Sequence, residues 1–154
     1  MVGDPHALPG LRPGRLPLRP AWLGLIMLGG SVGTAARAWL DATFPPAAGQ
    51  WPWAIFWINI GGAFLLGALL ELLTGTGPDR GWRRGVRLGL GTGVLGGFTT
   101  YSTFANQTFQ LLREGHGLIG VGYGVGTVVA GLAAAFGAIR TVHWLLQRRG
   151  GGSR

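Results

Sequence analysis

A run of nine residues, GGFTTYSTF at positions 96–104, constrains this chain more than any other feature. It lies inside an apolar segment of membrane-spanning length, yet it holds two glycines, four serine or threonine hydroxyls and three aromatic rings. Adjacent glycines loosen a helix, and serine and threonine hydroxyls can bond to its carbonyls and bend it. An interrupted polar segment at membrane depth is tolerated where it lines a pore or a buried ion site. The run therefore predicts a broken helix of that kind.

The composition is typical of a small integral membrane protein. Only 12% of the 154 residues are charged and 47% are hydrophobic, whereas soluble domains carry about 25% charged residues. The chain has no cysteine, which excludes disulfides, thiolate metal sites and cysteine nucleophiles.

Four apolar stretches predict the fold class, an all-α four-helix membrane bundle with a broken third helix. Each stretch is close to the ~20 residues that cross about 30 Å of hydrocarbon. Pro45 and Pro46 separate the first two stretches, and residues 74–78, TGTGP, end the second. The predicted regions are a disordered basic arm at 1–20, a channel domain at 21–147 with helices at about 21–40, 53–73, 87–112 and 118–146, and an Arg/Gly tail at 148–154.

Arginine sets the net charge of +8, because the chain contains no lysine. The arginines lie between apolar segments rather than in one basic stripe, which argues against nucleic-acid binding. Eleven of the thirteen fall on the side of the two termini. The positive-inside rule therefore favours a multi-pass protein of the cell membrane with both termini in the cytoplasm.

Polar residues inside the other segments each have two readings. Asn59 is either a helix-packing amide or a pore donor for an anion. Tyr123 and Thr127 lie on a glycine stripe of the fourth segment, where they pack or offer hydroxyls along a path. Arg37, near the end of the first segment, is of the kind that usually snorkels to water.

The nine-residue run itself indicates two kinds of ion contact. Tyr101 and Phe104 share one helix face, where their rings either pack in the core or meet an anion with their positive edges. A break from Gly96 to Thr99 would free carbonyl oxygens, which suit a small hard cation such as Na⁺. These residues alone name neither ion.

Three motifs together resemble the CrcB/Fluc family of fluoride channels. The run at 96–104 is similar to the family's third-helix signature, Gly-Gly-x-Thr-Thr-aromatic-Ser-Thr-Phe. The first segment has Gly-Gly-x-x-Gly-x-x-x-Arg at 29–37, and the second begins a similar Asn-x-x-Gly-x-Phe motif at Asn59. The resemblance covers roughly residues 22–145.

The resemblance implies four-helix subunits that pair antiparallel, with two pores for passive, fluoride-selective export that lowers cytoplasmic fluoride. It also implies a structural Na⁺ held by the backbone carbonyls of Gly96 and Thr99. The implied pore residues are Asn59, Tyr101, Phe104, Tyr123 and Thr127, with Arg37, Thr100, Ser102 and Thr103 in support. The chain departs from the pattern where it has Tyr101 for phenylalanine, Ala105 for serine and Gln107 for glutamate.

The arginine bias also bears on the partner. Antiparallel homodimers need subunits that insert both ways, which strong bias opposes. A heterodimer with an oppositely oriented paralogue is therefore favoured over a homodimer.

Two other classes of function fit less well. A small multidrug-type exporter needs a carboxylate within its first helix, whereas this segment has none before Asp41 at its end. An intramembrane enzyme needs a nucleophile beside a base, but His6, His116 and His143 lie outside the expected midplane. A subunit that only packs would show no ion flux.

Overall fold

The computed structural model describes residues 20–150, with side chains for 20–148. Every regular element in that range is helical, which confirms the all-α fold. Residues 1–19 of the predicted arm and 151–154 of the predicted tail lie outside the described residues, whereas 148–150 belong to the last helix. The elements are α1 (Pro20–Thr43), α2 (Trp53–Thr76), α3 (Trp82–Val86), a π-helix (Arg87–Leu95), α4 (Gly96–Phe98), α5 (Ser102–Arg113) and α6 (Gly117–Gly150).

Three of these helices, α1, α2 and α6, are long and apolar enough to cross a membrane. Both α1 and α2 run three residues beyond the ends expected from hydropathy, to Thr43 and Thr76. The hydroxyls at both ends are satisfied within their own helices, since Thr43 donates to the Trp39 carbonyl and Thr76 to the Leu72 carbonyl. Helix α2 then ends at Gly77, whose φ of 141° is one that other residues rarely adopt.

The third span is assembled from α3, the π-helix, α4 and α5. The sequence did not predict the π-helix, a wider form in which bonds run to the fifth residue. Its glycines let α1 approach closely. A Cβ on Gly93 would lie 3.0 Å from the Ile26 carbonyl oxygen and 3.1 Å from the Gly29 Cα. Any larger residue at position 93 would force the two helices apart.

The four membrane spans pack as two neighbouring pairs. Helix α1 packs mainly on the π-helix and α4, while α2 packs along α6, which also carries α5. Large apolar side chains cover much of the outer surface; Leu118, for example, is 93% exposed. A surface of that kind requires lipid or another subunit around it.

Candidate functional site

The third span is interrupted between Phe98 and Ser102. Thr99 is extended, with φ −74° and ψ 154°. The sequence predicted a break from Gly96, whereas Gly96 still belongs to α4. The helix persists because the Thr99 amide and hydroxyl both donate to the Leu95 carbonyl, at 3.0 and 2.9 Å, and so complete one more turn.

The side chain of Asn59, on α2, hydrogen-bonds to both backbone groups of Thr100 at the interruption. Its Nδ2 donates to the Thr100 carbonyl at 3.0 Å, and the Thr100 amide donates to its Oδ1 at 2.9 Å. This pair satisfies two backbone groups that the lost helix leaves without partners. Since an amide has two N–H donors, one N–H of Asn59 is left over.

This pair of hydrogen bonds, called the Asn59–Thr100 clamp below, leaves the carbonyl oxygen of Gly96 without its helical donor. In a continuous helix that oxygen would accept from the Thr100 amide, which instead bonds Asn59. The Thr99 carbonyl loses its donor in a similar way, because the Thr103 amide donates to the Thr100 hydroxyl at 3.2 Å. Among residues 20–150 neither carbonyl accepts a hydrogen bond.

Two free carbonyls suit a hard monovalent cation in their chemistry, but two oxygens do not complete its coordination shell. The described residues contain no group of three or more His, Cys, Asp or Glu side chains that could serve a metal instead. The oxygens of Gly96 and Thr99 are therefore the fitting donors, and a second subunit would have to add the rest.

Arg37 reaches the interruption from α1. Its Nε donates to the Gly97 carbonyl and its Nη1 to the Thr103 hydroxyl, both at 3.4 Å. The Thr34 hydroxyl donates to the same carbonyl at 3.4 Å. The usual expectation, snorkelling to water, is wrong for Arg37, because the guanidinium is held at the break. The Thr100 hydroxyl lies 3.3 Å from the Ser102 hydroxyl and 3.2 Å from the Thr103 hydroxyl, so these three form one cluster.

Predicted pore residues share one open groove of about 440 Å³ between α2, the interruption and α6. The ring of Tyr101 is 81% exposed there, and its centre lies 6.1 Å from that of Phe104. Aromatic rings left uncovered at membrane depth indicate a surface that lipid or a second subunit covers. The predicted residues that line this groove, called the aromatic groove below, are Asn59, Thr99, Thr100, Tyr101, Phe104 and Thr127.

Tyr123 is fully buried and does not line the aromatic groove. Its hydroxyl donates to Gln107 Oε1 at 3.0 Å, and the Thr127 hydroxyl donates to the Tyr123 carbonyl at 2.6 Å. Both protons are thus engaged within the subunit. The ring of Tyr123 packs against Phe104 at 5.4 Å and Trp51 at 5.6 Å, so in this arrangement it supports Phe104.

Sequence reasoning missed the role of Gln107 and Asp41. Gln107 Nε2 donates to Asp41 Oδ1 at 3.5 Å, which links α5 to α1. Gln107 also lines a second cavity of about 340 Å³, together with Gln110 and Glu114 beside the loop that follows α1. The available signals were weak: a carboxylate at the end of the first segment, and a departure from the family pattern.

The chain matches the family described as "CrcB-like protein, Camphor Resistance (CrcB)" over residues 24–139. The chain belongs to this CrcB-like family. It is similar to a Cutibacterium acnes protein named "Fluoride-specific ion channel FluC 1", with 44% identity over 90% of this chain and 97% of that protein. A Leifsonia xyli protein named "Fluoride-specific ion channel FluC 2" is 50% identical over 75% of this chain and 79% of its own length. The resemblance found in the sequence motifs is thereby confirmed.

Proposed function

We propose that this CrcB-like protein is a fluoride-selective channel that exports fluoride passively and lowers its cytoplasmic concentration. The observation that carries the proposal is the similarity to a protein named as a fluoride-specific channel, which extends over 97% of that protein's length. The chain is accordingly a membrane channel and not an enzyme.

The aromatic groove supports an anion path. Tyr101 and Phe104 line it together with Asn59, and the Arg37 guanidinium donates to a carbonyl of the same interruption. Ring edges, amide donors and guanidinium groups all attract anions. Within the described residues no acidic or histidine side chain lines the groove, so no proton carrier faces it. That composition supports passive conduction rather than proton-coupled export.

A bacterial strain without its own fluoride exporter provides the test in cells. Expression of this protein should restore growth at fluoride concentrations that stop the parent strain. Growth in high chloride should be unchanged. Unrestored growth, with protein present in the membrane as a folded dimer, would contradict the proposal.

Tyr101 offers a prediction particular to this chain. Tyr101→Phe should conduct normally, because the ring edge is kept and only an added hydroxyl is lost. Tyr101→Ile should lower fluoride efflux about two- to tenfold, since a ring contact contributes about 0.5–1.5 kcal/mol. The exposed ring holds little of the subunit's own core, so unfolding temperature should stay unchanged.

Phe109→Ile is the matched control, because Phe109 is 57% exposed on α5, the helix that begins just after Tyr101, and does not line the aromatic groove. Efflux from liposomes is measured for all three variants. Equal fluoride efflux rates for Tyr101→Ile and Phe109→Ile would mean that the Tyr101 ring only packs and does not contact the anion.

For assembly we propose an antiparallel dimer, with a heterodimer favoured over a homodimer. The support is the one-sided arginine distribution: Arg80, Arg83, Arg84 and Arg87 precede or begin the third span, whereas Arg113 follows it. Reporter tags at the C-terminus, in cells that express this chain alone, should report one orientation. A near-equal mixture of orientations, with fluoride flux from the single product, would show that it forms a homodimer.

A further inference from the structure

Two polar contacts, one helical turn apart, join α1 to α5. Arg37 Nη1 donates to the Thr103 hydroxyl at 3.4 Å, and Gln107 Nε2 donates to Asp41 Oδ1 at 3.5 Å. Within each helix the two residues are four positions apart, so they lie on the same face. Apart from these contacts, α1 packs mainly on the π-helix and α4. The four side chains therefore bridge two helices that otherwise pack little on each other.

Asp41 brings a negative charge to the second of these contacts. Its carboxylate is half-buried, and within residues 20–148 it forms no ion pair. The guanidinium of Arg37, one turn away on α1, is directed to the interruption instead. A half-buried carboxylate needs a hydrogen-bond donor. The amide of Gln107 supplies that donor.

The carboxylate dictates which way the Gln107 amide faces. An ionised carboxylate only accepts hydrogen bonds, so it must meet the N–H end of the amide, and the carbonyl end then points to α6. There Oε1 accepts from the Tyr123 hydroxyl at 3.0 Å. A tyrosine hydroxyl can donate or accept, but opposite an amide oxygen it must donate. Asp41 therefore sets the direction of a chain of hydrogen bonds across three helices.

Tyr123 carries this arrangement to the aromatic groove. Its side chain is fully buried, and its ring centre lies 5.4 Å from that of Phe104, which lines the groove. Helices α5 and α6 lie close together here, since a Cβ on Gly124 would be 3.4 Å from the side chain of Thr108. A buried ring packed in this way cannot shift without moving its neighbours. The chain of hydrogen bonds thus ends against a wall of the groove.

We propose, building on the function proposed above, that Gln107 is a positioning residue for the fluoride path and that it acts because it is neutral and faces the charged Asp41. One negative charge fits this contact. Carboxylates at both positions would put two like charges 3.5 Å apart, and such a pair takes up a proton more readily than either carboxylate alone. Amides at both positions would leave Gln107 free to turn over, because either end of one amide can face the other.

The variants below leave the other charged groups near this contact unchanged. Among the described residues these groups are Arg37 on α1, Glu114 just after α5, His116 before α6 and Tyr123 on α6. The ring of His116 lies against the loop after α1, where a Cβ on Gly49 would be 2.5 Å from its Nε2. Any response of these groups to pH is common to all variants. The comparison therefore isolates the side chains at positions 41 and 107.

The test measures fluoride efflux from liposomes between about pH 5.5 and about pH 8, with protein-free liposomes as the background at each pH. Gln107→Glu should lower efflux about tenfold at the upper pH, where the two carboxylates repel, and recover as the pH falls and a shared proton restores the donor. Asp41→Asn should lower efflux about fivefold at every pH, the effect of about one hydrogen bond. The double variant Asp41→Asn/Gln107→Glu moves the charge across the contact and should restore both the rate and the pH profile.

Gln110→Glu is the matched control, because Gln110 lines the same outer cavity as Gln107 but bonds neither Asp41 nor Tyr123. It adds the same charge to α5 and should change neither the rate nor its pH profile. Equal effects of Gln107→Glu and Gln110→Glu, or a double variant that conducts no better than the single ones, would overturn the proposal.

Thermal unfolding of the same variants separates this proposal from the proposed function. The midpoint of Gln107→Glu should fall as the pH rises, because the shared proton that stabilises the folded state is lost, whereas that of the double variant should not. Should Gln107→Glu fail to fold, rescue of folding by the added Asp41→Asn carries the same test. An unaltered protein that conducts no fluoride would contradict the proposed function alone. A midpoint of Gln107→Glu that does not depend on pH would overturn the contact itself.

Discussion

Asn59→Leu should lower fluoride flux by about a hundredfold or more, because both Thr100 backbone groups then lose their partner. Each buried group without a hydrogen bond costs about 1–3 kcal/mol. Leucine is close to asparagine in shape, so the helix contacts of α2 change little. The same substitution removes the N–H that remains for an anion in the aromatic groove.

The measurement is fluoride efflux from liposomes, with the thermal unfolding midpoint recorded for the same preparation. Asn106→Leu is the matched control, since Asn106 is an exposed amide on α5 that holds no backbone group of the interruption. It should conduct and unfold normally. Normal conduction by Asn59→Leu would mean that the interruption holds its shape without the clamp.

Removal of sodium should abolish flux or separate the subunits, if two copies of the Gly96 and Thr99 carbonyls enclose one Na⁺. These oxygens accept no hydrogen bond within residues 20–150, and four of them facing each other would repel without a cation. The buffer exchange replaces Na⁺ by N-methylglucamine, a cation too large for such a site. Flux and the dimer fraction by size-exclusion chromatography are followed, and both should return when Na⁺ is restored.

Thr99→Ala separates the backbone from the side chain in this site. Its hydroxyl donates to the Leu95 carbonyl, whereas the proposed ligand is the backbone carbonyl, which alanine keeps, so the variant should lose less than about tenfold in flux. It should also keep its dependence on sodium. Full activity of the unaltered protein after exhaustive sodium removal would rule out a required sodium site.

The sequence was sufficient to predict the membrane fold and an interruption of the third span within residues 96–104. Length and apolarity of the segments need no tertiary information, and a polar run inside one of them stands out. The sequence also identified Asn59, Tyr101 and Phe104 as candidate pore residues, and all three line one groove.

The rest depended on contacts between distant residues. The Asn59–Thr100 clamp joins α2 to the third span, and no residue pattern around either position predicts it. The π-helix could not be distinguished from an α-helix, because glycines fit both. The hydroxyls of Tyr123 and Thr127 were expected to line an anion path. Instead the Tyr123 hydroxyl donates to Gln107, and the Thr127 hydroxyl donates to a backbone carbonyl of α6. Hydroxyl direction is set by the nearest acceptor, which sequence spacing does not locate.

Efflux of two halides from one preparation tests the central claim most directly. Purified protein, with a co-expressed partner subunit where one is required, is placed in liposomes loaded with fluoride and chloride. Ion-selective electrodes then follow both ions in the external solution. Fluoride should leave rapidly down its gradient while chloride stays inside. No fluoride efflux from a verified folded dimer, or chloride efflux at an equal rate, would contradict it.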